Sequence, residues 1–110
     1  MIVDYSNFAS LDIRVGVIER AEVFEKARKP AYKLWIDFGA EIGQLKSSAQ
    51  ITDFYKPDEL IGRQVVAVVN FGDKQIADFK SQCLVLGVYT PEGVALLSID
   101  KKVENGARIG

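Results

Sequence analysis

From Leu11 onward the apolar residues Leu11, Ile13, Val15 and Val17 alternate with Asp12, Arg14 and Gly16. A period of two marks a strand with one wet face, so a long first strand is predicted with its apolar row turned to the core. Glu19 interrupts the alternation before Ala21 and Val23 resume it, placing a bulge or bend within Gly16 to Glu19. Such a bend lets one strand serve two parts of a curled sheet. After the polar loop EKARKP (25–30), Tyr32, Leu34, Ile36 and Phe38 alternate with Lys33, Trp35 and Asp37. This second strand runs to Gly39 and points Trp35 away from the core. A weaker alternation over GQLKSSAQ (43–50) predicts a third strand, paired with the second through a turn around GAEIG (39–43). Lys46, Ser48 and Gln50 share one of its faces, opposite Leu45, Ser47 and Ala49.

In ITDFYKPDELIG (51–62), Pro57 is placed to open a turn of helix and Gly62 to end it. Three continuous apolar runs follow, QVVAVVN (64–70), CLVLGVY (83–89) and VALLSI (94–99), the last two joined by the turn TPEG. They are predicted to form the buried wall of the fold, with residues 68–81 as the connection from the first run to the second. YSNFASL (5–11) suits one or two helical turns with Ser6 as N-cap, and the tail from Asp100 reads as irregular chain around Asn105-Gly106. Five strands, a bend in the first and a short helix between the third and fourth describe an all-β fold. The economical form is a five-stranded Greek-key barrel of OB type, one domain over residues 1–110, with a further short helix at the N-terminus. Periodicity alone also accommodates an open sheet or a sandwich.

Composition narrows the chemistry. Hydrophobic residues make up 48% and charged residues 26%, with no low-complexity tract, so globular structure is expected throughout. The formal net charge of -1 offers no general attraction for phosphate backbones, and nucleic-acid binding would need a local patch. Cys83 is the only cysteine and there is no histidine, which removes intrachain disulfides and the common zinc spacings; no metal or other cofactor is called for. Ser47, Ser48 and Ser81 have no histidine to act as base, and no phosphate-binding glycine loop occurs. No catalysis is expected. With no apolar run of membrane-spanning length and no leader-like N-terminus, the expectation is a protein of the reducing cytoplasm that does not insert into membranes. A binding surface remains. Lys26, Arg28, Lys29 and Lys33, against Glu25 alone, lead into the strand that carries Trp35. That is either a solvated loop with a tryptophan at a subunit contact or the polymer-binding face of a barrel, where aromatic groups stack and Lys follows a backbone.

Several stretches together resemble a known family: LDIRVGVI (11–18), ARKPAYKLWIDFG (27–39), KSSAQIT (46–52), YKPDELIG (55–62), VAVVNF (66–71) through IADFKS (76–81), and VENGARIG (103–110). They are similar to the CsaA proteins, chaperones associated with protein export, within the wider family of OB-fold tRNA-binding domains. That family includes the C-terminal domain of methionyl-tRNA synthetases. The resemblance implies a homodimer that binds unfolded or precursor polypeptides, with tRNA as the alternative ligand. It places Tyr5, Phe8 and Ile109 near the two-fold contact. For a polypeptide, Trp35 and Phe71 would supply apolar and aromatic contacts, Asn70, Lys74 and Ser81 backbone-directed donors, and Lys46, Ser48 and Gln50 further donors. For tRNA, Lys26, Arg28, Lys29, Lys33, Lys46 and Lys80 would meet phosphates. A dimeric scaffold without a free ligand is the third reading. Where CsaA-like sequences often carry Asn-Phe-Pro-Pro and two basic residues, this chain has Asn70-Phe71-Gly72-Asp73-Lys74-Gln75, and Asp78 stands where Gly is usual. The loop thereby loses rigidity and positive charge, while Asp78 need not break the turn, because Asp tolerates a left-handed backbone better than most residues.

Overall fold

The computed structural model describes all 110 residues. In chain order the elements are α1 (Tyr5–Ala9), β1 (Ile13–Val23), β2 (Tyr32–Asp37), α2 (Gly39–Ile42), β3 (Gln44–Ala49), α3 (Pro57–Leu60), β4 (Gln64–Val68), β5 (Lys74–Ile76), β6 (Phe79–Ser81), β7 (Leu84–Val85), β8 (Gly87–Thr90) and β9 (Gly93–Leu96). One antiparallel sheet has the order β3-β2-β1-β4-β7, while β5-β6 and β8-β9 are separate hairpins. The register of β1 against β2 shifts between Ile18 and Arg20, so Glu19 is the bulge that the broken alternation predicts. It bends β1, whose first half pairs with β4 and whose second half pairs with β2.

Side chains, more than a ladder, nearly close the sheet into a barrel. At the outer edge of β3 the Gln82 N–H donates to the Lys46 carbonyl (2.7 Å), and the Lys46 N–H donates to Gln82 Oε1 (3.0 Å). The Ser48 N–H donates to Ser81 Oγ (3.0 Å), and the buried Ser47 hydroxyl donates to the Cys83 carbonyl (3.0 Å). The polar residues of β3 thus occupy a seam where backbone groups would otherwise be orphaned. The architecture is the OB-type barrel expected from the strand pattern.

Ile18, Leu34, Ile36, Phe38, Val65 and Ala67 fill the interior, and Leu60 of α3 is fully buried against them. α3 starts with Pro57 at its first turn, the Lys56 N–H is held by Glu59 Oε1 (3.1 Å), and Gly62 follows with φ 85°. α1 departs from expectation: its N-cap is Asp4, not Ser6, and no side chain caps it. The predicted turn at 39–43 is one turn of helix, α2.

The apolar row of β1 does not face the barrel interior. Ile13 packs with Val66 and Val68 in a second cluster on the outer side of the sheet, under Leu11, Leu86, Ile99 and Ile109. The tail makes this possible by pairing with β1: the Val15 N–H donates to Ala107, the Gly106 N–H to Val15 and the Ile109 N–H to Ile13 (2.7–2.9 Å). On the inner row stands Gly16, where an added Cβ would lie 2.7 Å from Ile36 Cγ2 and from the Phe38 ring, so only glycine lets these fully buried groups approach.

The expected buried wall is a wall only along β4. Val65 to Val68 are buried, but Leu84, Val88, Tyr89 and Leu97 are exposed. Gly87 ends the run that pairs with β4, and the chain leaves the barrel as the β8-β9 hairpin, which packs on the core through Val94 and Leu96 alone. A continuous apolar run looks the same whether its outer face is covered or not.

Candidate functional site

β2 and β3 place Lys33, Trp35, Lys46 and Ser48 on the outer face of the barrel, because Tyr32, Leu34, Ser47 and Ala49 take the inner one. That face is occupied. Phe79 of β6 lies on it, 5% exposed, edge-on to Phe24 (5.4 Å, 65°) and to Trp35 (5.8 Å, 76°). The indole is half-buried, not free as its outward direction suggested, and the Arg20 guanidinium covers its ring at 4.4 Å. Arg20 is itself paired with Glu22. Lys33 Nζ sits 4.9 Å from the Phe24 ring centre and 5.4 Å from that of Phe79, and Lys46 Nζ is 5.2 Å from Phe79. Two ammonium groups thus share one aromatic ring, neither within 4.0 Å of a carboxylate. Phe79 was missed in the sequence because 68–81 reads as a connection. The signal was the pair Ile76 and Phe79 flanking Ala77-Asp78, a two-residue turn between short apolar-polar strands.

β5 and β6 form a hairpin whose ladder is its own. The left-handed residue of its turn is Ala77, φ 50°, and not Asp78. Asp78 instead accepts a hydrogen bond from Lys26 Nζ (2.8 Å), tying the turn to the loop before β2. The contact holds the Asp78 carboxyl below its usual range and the Lys26 ammonium above its own. Lys80 and Asp73 are 4.0 Å apart across the hairpin base. Arg28 and Lys29 are exposed with no carboxylate partner.

Two of the expected ligand donors already have partners within the chain. Asn70 Oδ1 accepts from the Asp12 N–H (2.8 Å) and its amide donates to the Ser10 carbonyl (2.9 Å), anchoring the segment after α1 to the end of β4. Ser81 is buried and its hydroxyl holds the Ser48 N–H.

Beside this seam a groove of about 590 Å³ runs between the end of β3, the segment from Phe71 through β5, and the chain from Ser81 to Tyr89. It brings together Ser48, Gln50, Phe71, Lys74 and Ser81 of the sequence-derived candidates; Lys33, Trp35, Lys46, Asn70 and Lys80 lie outside it. Ten of its sixteen lining residues are hydrophobic and Lys74 is the single charged one, so it suits apolar groups and at most one carboxylate. Phe71, 61% exposed, and Tyr89, 92% exposed, stand at its walls. Tyr89 and Leu84 escaped the sequence reading, which buried them. Cys83 also lines the groove, with burial pushing its thiol up to about 12, far from a reactive thiolate. No cluster of His, Cys, Asp and Glu capable of holding a metal occurs. Of the expected interface residues, Tyr5 and Phe8 are exposed and lie ring to ring at 6.1 Å, whereas Ile109 is half-buried against its own chain.

Residues 13–108 match the family model described as a putative tRNA binding domain. Among solved structures, the chaperone CsaA of Picrophilus torridus is 52% identical over 99% of this chain and 100% of its own, with a TM-score of 0.94. The chaperone CsaA of Bacillus anthracis is 48% identical over the whole of both chains, with a TM-score of 0.93. A methionine–tRNA ligase of Thermococcus kodakarensis is 39% identical over 107 residues, 97% of this chain but only 14% of the ligase. The similarity therefore covers one small module of that enzyme.

Proposed function

Since the chain belongs to the putative tRNA-binding domain family, we propose that it is a non-catalytic binding protein, a CsaA-like chaperone that holds unfolded or export-bound polypeptide in the groove beside β3. The observation that carries this reading is the groove's lining, mostly hydrophobic, with exposed Phe71 and Tyr89 and the single cation Lys74. Phosphates would find little there, whereas an extended apolar segment would exchange water for both walls. The homodimer is part of the proposal: Met1, Ile2, Val3, Tyr5 and Phe8 form an apolar arm exposed to solvent in the single chain, as a second copy would require. The free, buried Cys83 suits a reducing cytoplasm.

A second reading, tRNA binding, is favoured by one observation. Lys33 and Lys46 share the Phe79 ring without a carboxylate partner, and Arg20 caps Trp35 beside them, a cationic strip on the barrel face. Titration of the purified protein separates the two. Binding of a reduced, unfolded polypeptide that changes little with salt is expected. Tight binding of bulk tRNA with a steep salt slope, and none of the unfolded chain, would reverse the assignment.

A further inference from the structure

We propose that the groove takes its polypeptide as an added β-strand on the open edge of β8, an inference that rests on the peptide-binding reading and specifies its mode. β8 pairs with β9 on one side only. The register is Gly87↔Leu96, Val88↔Ala95, Tyr89↔Val94 and Thr90↔Gly93. In an antiparallel ladder directly opposed pairs alternate between hydrogen-bonded and non-bonded. The phase follows from the Leu97 N–H, which donates to the Leu86 carbonyl at 3.3 Å. Pairs 86–97, 88–95 and 90–93 are therefore the bonded ones, and the backbone N–H and C=O of Gly87 and Tyr89 point away from β9. Neither residue's backbone takes part in a hydrogen bond outside the hairpin.

Gly87 and Tyr89 are also liners of the groove. The free edge thus runs along the same apolar walls that would receive side chains. Its N–H donors and C=O acceptors recur together every second residue, as they do along another extended backbone. The other hairpin offers no equivalent: the outward residue of β5 is Gln75, which does not line the groove. Val88, 51% exposed, adds an apolar side chain beside the edge, and neither Pro nor Lys protects it from pairing. Lys74, with no carboxylate within 4.0 Å, selects a segment bearing one acidic residue.

The test uses the full chain and three versions of one soluble eight-residue peptide of alternating valine and threonine with a single glutamate. One version is unmodified, one is N-methylated at odd positions and one at even positions. Strand addition requires that one methylated series bind at least about tenfold more weakly while the other binds like the parent, because only alternate amides face the edge. Equal binding by all three would overturn strand addition and leave peptide binding intact. Equal loss in both series would overturn it as well, and failure of all three to bind would overturn the peptide-binding reading itself. The protein side is Tyr89→Pro, which removes the outward N–H but no ladder bond, compared with Tyr89→Ala, which removes only the ring. The proline variant is expected to bind about tenfold more weakly than the alanine variant; equality would refute the edge contact. Conversion of a dimer to a monomer by Tyr89→Pro would assign the edge to a second copy, and displacement of the parent peptide by bulk tRNA would assign the groove to RNA. Either result would overturn the proposal. Should Tyr89→Pro not fold, the methylated peptides decide alone.

Discussion

Phe79→Ala tests whether the β5-β6 hairpin is held to the barrel through one ring. Phe79 is 5% exposed in a cluster with Phe24 and Ala31, and Ala27, Trp35 and Ile76 pack around it. Removing a buried Phe side chain costs about 3–5 kcal/mol including the cavity it leaves. Two edge-on aromatic contacts, to Phe24 and Trp35, are among the interactions lost, each about 0.5–1.5 kcal/mol beyond the area buried. The cluster lies at the surface and can partly collapse, and Lys33 and Lys46 would regain water in place of the ring, so a loss of about 3 kcal/mol is expected. For a chain of this size that corresponds to a fall in Tm of roughly 10–15 °C. Trp35 is the only tryptophan, so its emission reports on the same event. It should shift to the red as solvent replaces the Phe79 edge. Urea unfolding followed by fluorescence and by far-UV circular dichroism measures both quantities. A stability loss below about 1 kcal/mol together with unmoved emission would refute the packing argument. If the cationic strip binds tRNA, the variant should lose that binding, and because Lys74, Ile76 and Ser81 of the same hairpin line the groove, peptide binding should weaken with it.

The other expectations concern the hairpin turn, its tether and the barrel seam. Ala77→Gly relieves a left-handed alanine, φ 50°, and should stabilise the protein by about 0.5–1 kcal/mol in denaturant titration, since the strain removed exceeds the entropy added to the unfolded chain. The Lys26–Asp78 contact contributes only while both groups are charged. Asp78, depressed chiefly by the Lys26 hydrogen bond, contributes above about pH 4 and loses this as pH falls through its lowered value; Lys26, raised by Asp78, contributes below about pH 10 and loses it as pH rises through its raised value. Amide protection in the hairpin, taken relative to the intrinsic exchange rate at each pH, should therefore fall outside that window and with added salt, and Asp78→Asn should abolish both pH limbs. Cys83, its thiol pushed up to about 12 by burial, should resist an aromatic disulfide reagent at pH 8 in the native protein and react fully in denaturant; rapid native labelling would show the seam to be open.

The strands β1 to β4, the bulge at Glu19 and the helix opened by Pro57 were legible from local periodicity, which made the barrel the economical form but also accommodated an open sheet or a sandwich. Each depends on residues two to four apart, and the alternation survives because one side of every strand must be buried. Of the candidate contact residues that strand alternation and the family resemblance put forward, the fold gathers Ser48, Gln50, Phe71, Lys74 and Ser81 around one groove and leaves Lys33, Trp35, Lys46, Asn70 and Lys80 outside it. What it could not decide is which outward faces acquire a cover. Ile13 lies under Ile109 of the tail, Trp35 under Phe79 and Arg20, and Asn70 is bonded to Ser10 and Asp12, each by a partner distant in the chain. The apolar run 83–89 was read as buried for the same reason: its composition permits burial, but Gly87 sends the chain out of the barrel and leaves Val88 and Tyr89 in solvent. Short-range alternation is set by the geometry of a single strand, so the amino-acid order alone determines it. Covering and exposure are set by where distant segments return, and that is decided only when the chain has closed on itself.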